Sequence, residues 1–152
     1  TGPRDAPLLD RIARAIGVAA TDIVDHQWVD NGPGWCAVRL GSGAAVRAVQ
    51  PDWEALGEIK LGLVGAQAAG EDTAFEVRAL LGPGGFEDPV TGSLNASLAQ
   101  WLIGAGLAPS RYVAAQGHAL GRAGRVHVQQ DGDTIWVGGD VVACIAGEVD
   151  LA

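Results

Sequence analysis

Two adjacent carboxyl groups, those of Glu87 and Asp88, stand a few residues before a Thr-Gly-Ser sequence that opens an apolar run. Thr91 and Ser93 are of the types preferred at the first position of a helix, whose free N–H groups carry a partial positive charge. Because Gly92 has no side chain, a carboxylate or phosphate oxygen can reach those N–H groups. The sequence therefore predicts an anion-binding helix start with the carboxyl group of Asp88 beside it.

The same residues have a simpler interpretation. In it, Asp88 and Thr91 accept hydrogen bonds from the first N–H groups of the helix and serve only as its cap. Capping and ligand binding use the same residue types at the same spacing, so both interpretations stay open at the level of sequence.

The run that follows is apolar on every side of a helix. It contains Leu94, Ala96, Leu98, Ala99, Trp101, Leu102, Ile103 and Ala105. Such a helix is buried, in contrast to an amphipathic surface helix, and Gly104 and Gly106 mark its end. We expect it to lie at the centre of the domain.

Short apolar or alternating segments typical of strands dominate the rest of the chain. Strands are predicted over residues 23–29, 35–40, 44–49, 59–64, 74–80, 112–116, 125–129, 134–137 and 141–146. An amphipathic helix is predicted over residues 7–16 and a short helical turn over residues 51–56. The sum is an α+β domain in which a curved sheet buries the central helix.

Composition limits the possible partners. The chain has 152 residues, of which 48 % are hydrophobic, enough for one domain with a core. Its net charge is −8 and its 10 Lys and Arg residues are scattered, so we expect neither nucleic acid nor a membrane surface as a partner. With no membrane-spanning run and no leader peptide in view, we expect a cytoplasmic protein.

The cysteines and histidines give no sign of a metal or disulfide site. Cys36 and Cys144 both lie in apolar, strand-like segments, so we expect two buried, reduced thiols. His26, His118 and His127 show no ligand spacing with each other or with the cysteines, so no metal site is predicted.

The motif around Asp88 also carries a family resemblance. Residues 87–93, EDPVTGS, closely resemble the EDPATGS signature of the PhzF family, phenazine-biosynthesis isomerase-like proteins that share their fold with diaminopimelate epimerase. The resemblance extends over nearly the whole chain and implies a barrel-like mixed sheet wrapped around the helix from Thr91 to Gly104. Val90 stands where the family usually has Ala, and Leu94 where Ala is common, which adds bulk beside the helix start.

The resemblance also implies an activity and a role for each site residue. In this family, two similar domains bind the substrate in the cleft between them, and the best-studied reaction moves a proton within a dihydro-hydroxyanthranilate-type acid, with no cofactor or metal. By this resemblance, Asp88 contacts the substrate or assists the proton transfer. Thr91, Gly92 and Ser93 bind the substrate carboxylate, through the N–H groups of Gly92 and Ser93 and the hydroxyl of Ser93.

The resemblance covers only the second half of a family member. The family's principal proton-transferring glutamate and its partner histidine belong to the first domain, and neither motif is found here. Glu87 is a poor substitute, because neighbouring side chains on an extended segment point apart, and we interpret His118 as a loop or strand-end residue. We therefore expect residues 1–152 to form a single domain resembling the second domain of such a protein.

Three functions remain compatible with this sequence. The chain is the C-terminal half of a cofactor-independent isomerase or epimerase, or a stand-alone carboxylate-binding module, or a structural homodimer without catalysis. The expected partners are a small-molecule carboxylate and a second domain or chain that completes the cleft. Whether this chain alone is an enzyme stays open. Candidates for an exposed apolar wall against that partner are Trp28, Trp35, Trp53 and Phe86.

Overall fold

A computed structural model describes residues 6–151 of the protein. Within them, eight strands are β1 (Ile23–Trp28), β2 (Trp35–Leu40), β3 (Lys60–Ala66), β4 (Phe75–Leu81), β5 (Phe86–Asp88), β6 (Arg111–Gln116), β7 (Gly124–Asp131) and β8 (Thr134–Gly138). The α-helices in the same part of the chain are α1 (Ala6–Ile16), α2 (Gly43–Ala48), α3 (Trp53–Leu56) and α4 (Gly92–Gly104). The domain prediction also takes in residues 1–5 and 152, which lie outside the described residues.

The strands form one mixed sheet in the order β1-β2-β3-β4-β6-β7-β8. The pairs β2–β3 and β4–β6 are parallel and the others are antiparallel. The edge of β4 is shared, because its first residues pair with β6 and its last residues pair with β5. The last residue of β5, Asp88, therefore meets the last residue of β6, Gln116, at the point where the chain turns into α4.

Helices cover the sheet on both faces. The core on one face is formed around α4, by Leu94, Leu98, Ala99 and Leu102 packed on side chains that include Ala37, Val64, Val77, Ala114 and Val128. The core on the other face lies beneath α1, α2 and α3 and includes Ile12, Ile16, Val46, Leu56, Leu61, Leu63 and Leu80. The predicted fold class, an α+β domain with a mixed sheet around a central helix, is confirmed.

The strand predicted over residues 44–49 is wrong, because residues 43–48 form helix α2. Ser42 caps this helix, and its Oγ accepts a hydrogen bond from the Ala45 N–H at 3.1 Å. Three of the helix residues are alanine, the residue with the highest helix propensity. The cap and the alanine content outweigh a short apolar run that resembles a strand.

The strand predicted over residues 141–146 is also wrong. Residues 139–151 have no regular secondary structure, and the sheet ends at β8. Val141 and Ile145 are 89 % and 94 % exposed. Cys144 in the same segment is exposed, so the prediction of a buried thiol is wrong there, whereas it is confirmed for Cys36. Burial raises the pKa of the Cys36 thiol to about 12.

Candidate active site

Helix α4 begins with open N–H groups. Thr91 is its N-cap residue, and the first helical hydrogen bond runs from the Asn95 N–H to the Thr91 carbonyl at 3.1 Å. The N–H groups of residues 92–94 precede that bond and have no acceptor within the helix. Gly92 is exposed, and a β-carbon placed on it would have no described atom within 4 Å. The first turn of α4 is thus accessible to a ligand.

Asp88 lies beside this turn and is half-buried. Its Oδ2 accepts a hydrogen bond from the Thr91 hydroxyl at 2.7 Å. The Thr91 side chain makes no capping bond to the N–H groups of α4. Because the Thr91 hydroxyl faces Asp88 instead, the interpretation of Asp88 and Thr91 as mere caps does not describe the observed contacts.

A buried amide holds Asp88 and Thr91 together. Gln116 is 1 % exposed, and its side chain bonds to the N–H and hydroxyl of Thr91, the carbonyl of Asp88 and the amide of Asn95. Sequence reasoning predicts neither Asn95 nor Gln116 as a site residue. The signal that marks them is a polar side chain at a buried position of an otherwise apolar helix or strand.

Ser93, the second residue of α4, is held in place by contacts from the loop that precedes β2 and from β2 itself. Its Oγ accepts a hydrogen bond from Trp35 Nε1 at 3.1 Å, and its carbonyl accepts one from Asn31 Nδ2 at 3.1 Å. A hydroxyl that accepts one bond keeps its proton for another partner. Ser93 can therefore add an O–H donor to the N–H groups of the first turn.

The four residues predicted as an exposed apolar wall divide into two groups. Trp35 is buried and Trp53 packs partly against the core beneath α1, α2 and α3, so the prediction is wrong for Trp35. Trp28 and Phe86 are 49 % and 51 % exposed. Trp35 is buried because its ring belongs to the core around α4, and its indole N–H bonds to Ser93.

Glu87 has a structural role that its neighbour lacks. It points to the face opposite Asp88, where its carboxylate contacts the Arg78 guanidinium at 2.7 Å, and both side chains are buried. Arg78 also donates to the Val49 carbonyl at 2.6 Å. The prediction that Glu87 points away from Asp88 is confirmed, and its charge is used by Arg78.

Other polar groups lie away from this site. His118 begins an exposed 3₁₀ turn after β6, as predicted for a loop residue. Glu76 is buried on the same sheet face as Glu87, contacts Arg47 at 3.4 Å and has a pKa raised chiefly by burial. Across residues 6–151, no group of three or more His, Cys, Asp or Glu side chains is arranged to hold a metal ion. None of the helices described here has the length and apolar character needed to cross a membrane.

The mixed sheet packed against helix α4, together with the structural neighbours given below, places the chain in the class of epimerase-like α+β folds. A family model described as phenazine biosynthesis-like protein (PhzC-PhzF) matches residues 5–147, and the chain belongs to this family.

Solved structures show the same fold. A phenazine biosynthesis protein of the PhzF family from Enterococcus faecalis is 21 % identical with a TM-score of 0.71, and the match covers 91 % of this chain and 50 % of that one. A protein described as a predicted epimerase from Pseudomonas aeruginosa is 27 % identical with a TM-score of 0.70, again over 91 % and 50 %. The chain thus spans about half the length of the solved structures it matches. No curated protein sequence matches it.

Proposed function

We propose that this chain forms one wall of the active site of a cofactor-independent isomerase that moves a proton within a small carboxylic acid. The observation that carries the proposal is the accessible first turn of α4, with its free N–H groups, beside the carboxyl group of Asp88. Family membership and the epimerase-like neighbours support the reaction class.

In the proposed complex, the substrate carboxylate accepts hydrogen bonds from the N–H groups of Gly92 and Ser93 and from the Ser93 hydroxyl. The helix dipole and these fixed donors favour an anion at this position. The same donors stabilise the negative charge that develops when a proton leaves the carbon next to the carboxylate. Asp88 then contacts the substrate or assists the proton transfer, for which the family's principal glutamate lies in the other domain.

Thr91 acts in this proposal mainly through Asp88. Its hydroxyl proton is already donated to Asp88 Oδ2, and its oxygen accepts a bond from Gln116. Little hydrogen-bonding capacity is left for a direct contact between its side chain and the substrate.

The proposed active site needs a second wall, supplied by another domain or chain. The first turn of α4 is open to solvent, and Phe86 and Val90, which flank Asp88, are 51 % and 47 % exposed. Residues 141–151 add a further exposed apolar segment. Apolar surface of this extent marks a site of contact with another folded unit. The solved structures that match this chain are about twice as long as the chain, which supports this proposal.

A specific observation favours one alternative, a carboxylate-binding module without chemistry. All the proposed carboxylate donors belong to this chain, so binding alone does not require a second wall.

Proton exchange separates the isomerase from the binding module. The assembled protein, incubated in D2O with a dihydro-hydroxyanthranilate acid, is expected to incorporate deuterium into the acid, as measured by mass spectrometry. Asp88→Ala should abolish this incorporation, while Asp133→Ala, which removes an exposed carboxyl group between β7 and β8, should leave it unchanged. Equal incorporation by both variants would contradict the role of Asp88, and none by the wild type would favour the binding module.

A further inference from the structure

Lys60 is the only lysine of the chain, and its charge is not used by the fold. Its ammonium group is partly exposed and donates a hydrogen bond to the Pro33 carbonyl at 2.8 Å. An ammonium group has three N–H donors, so two of them remain for another acceptor. None of the ion pairs formed by residues 6–151 includes Lys60. Lys60 therefore has both a positive charge and hydrogen-bond donors available to a ligand.

Lys60 begins β3 on the face of the sheet that α4 covers. Side chains alternate between the two faces along a strand, so Lys60, Gly62 and Val64 share one face. Val64 belongs to the core around α4, and a β-carbon on Gly62 would meet the side chain of Leu94. Because Leu94 directly follows Ser93, this face of β3 lies against the start of α4.

Two short paths connect Lys60 with Ser93. Lys60 pairs with Trp35 in the parallel register of β2 and β3, whose backbones lie about 4.8 Å apart, and the Trp35 indole donates to Ser93 Oγ at 3.1 Å. The loop that precedes β2 contacts both ends. Its Asn31 donates to the Ser93 carbonyl, and its Pro33 accepts from Lys60. The ammonium group thus lies at the rim of the first turn of α4, on the side of Ser93.

Asp30, in the same loop, is engaged by the backbone. Its Oδ1 accepts hydrogen bonds from the N–H groups of Gly34 at 2.6 Å and Gly32 at 2.8 Å. These N–H groups, that of Gly34 first, are the main reason that the pKa of Asp30 lies below its ordinary value, and Lys60 contributes least. The Asp30 carboxylate holds the turn of the loop, and a bound acid does not have to displace it from Lys60.

We infer that Lys60 is a specificity-determining residue, which supplies the positive charge that holds the substrate carboxylate at the N–H groups of Gly92 and Ser93. This inference rests on the proposed function and narrows its substrate class to ionised acids. In the bound state, one N–H of the ammonium group donates to the carboxylate while another keeps its bond to Pro33. Backbone N–H groups alone also accept an uncharged amide or ester oxygen, whereas a formal positive charge favours the carboxylate over both.

Removing the charge of Lys60 tests this role. Lys60→Gln keeps an N–H donor for Pro33 and is expected to raise the Kd of 3-hydroxyanthranilate about tenfold, the loss of one charge-assisted hydrogen bond. Lys60→Arg keeps the charge and should bind more tightly than Lys60→Gln. Arg14→Gln is the matched control, because Arg14 is an exposed cation of α1 that also donates to a backbone carbonyl, that of Asp10. This control should bind as the wild type does.

Salt dependence separates a local charge from the net charge of the chain. The wild-type Kd should rise as the ionic strength increases from about 0.01 M to about 1 M, where the Debye length falls from about 30 Å to about 3 Å. The Kd of Lys60→Gln should rise much less, and that of Arg14→Gln as much as the wild-type value. Wild-type affinity in Lys60→Gln, or equal weakening by Arg14→Gln, would overturn the inference.

A direct measurement uses the single lysine and needs no variant, so it decides the question even where Lys60→Gln does not fold. Reductive methylation with isotope-labelled formaldehyde gives one lysine methyl signal and keeps the positive charge. In an NMR titration with 3-hydroxyanthranilate, this signal should shift with the same Kd as the Gly92 and Ser93 N–H signals. N–H signals that shift without the Lys60 signal would overturn the inference and leave the proposed function supported. If none of these signals shifts, both the proposed carboxylate site and the role of Lys60 are contradicted.

Discussion

At the scale of single residues, two adjacent carboxylates have opposite fates. Glu87 is buried and paired with Arg78, whereas Asp88 is half-buried and bonded to Thr91 at the start of α4. The alternation of side chains along β5 causes this difference, because it sends successive residues to opposite faces of the sheet. We therefore expect Glu87 to serve stability, whereas Asp88 is the carboxyl group that the proposed function uses.

Replacing Glu87 tests this division of roles. Glu87→Gln leaves the buried Arg78 guanidinium without its negative partner, so we expect the free energy of unfolding to fall by about 3 kcal/mol, measured by urea denaturation. Asp72→Asn is the matched control, because it removes the carboxylate of a more exposed pair with Arg125 and should cost less than about 1 kcal/mol. Similar losses in the two variants would contradict a structural role for Glu87.

The proximity of Asp88 to Gly92 and Ser93 could be predicted because these residues are close in sequence and a helix start follows at once. The part played by Gln116 could not, because 25 residues separate it from Thr91. Its position depends on β4 pairing with both β5 and β6 along one edge. Local patterns contain no information on that shared edge.

At the scale of elements, the turn that follows Gln116 packs closely against the connection from β5 to α4. Gly117 has φ +90°, and a β-carbon on it would lie 2.7 Å from the Pro89 carbonyl oxygen. Both facts require glycine, the first through backbone strain and the second through close approach. This glycine allows the end of β6 to pack against the residues that connect β5 to α4.

Gly117→Ala is therefore expected to destabilise the protein by about 2–4 kcal/mol, as the sum of left-handed strain and overpacking. Gly121→Ala is a matched control, because its φ is +67° and a β-carbon there would meet no described atom within 4 Å. We expect that variant to lose only about 1–2 kcal/mol. Urea denaturation measures both, and equal losses would show that the contact with Pro89 contributes nothing.

The elements that sequence patterns misassign are short or lack a partner in the described structure. Residues 43–48 form a helix that Ser42 caps, and this cap is a local signal that competes with the apolar run. Residues 141–146 have the apolar pattern of a strand buried on both faces. A strand of that kind needs neighbours on each side, and β8 does not provide them.

At the scale of the whole molecule, two observations support the proposed second wall. It covers about half of its solved relatives, and Val141, Val142, Ile145, Val149 and Leu151 are 80–94 % exposed. We expect native mass spectrometry of the protein from its source to give a mass about twice the 15.5 kDa of this chain, with one copy of these residues. In that assembly, the amides of residues 141–146 should be protected from hydrogen exchange. A mass of 15.5 kDa, or an assembly that contains two copies of these residues, would contradict the proposed second wall.

Carboxylate binding at the start of α4 is tested most directly by amide NMR of the chain titrated with 3-hydroxyanthranilate, a stable aromatic carboxylate. We predict downfield shifts of the Gly92 and Ser93 N–H signals, absent with the corresponding carboxamide. Gly92→Ala keeps the backbone N–H but places a methyl group in the space that the ligand would occupy, so it should weaken binding at least about tenfold, without unfolding the protein. Gly104→Ala, at the other end of α4 and also with open space around its α-carbon, should bind as the wild type does. Unchanged Gly92 and Ser93 signals, or equal weakening by both variants, would contradict the account.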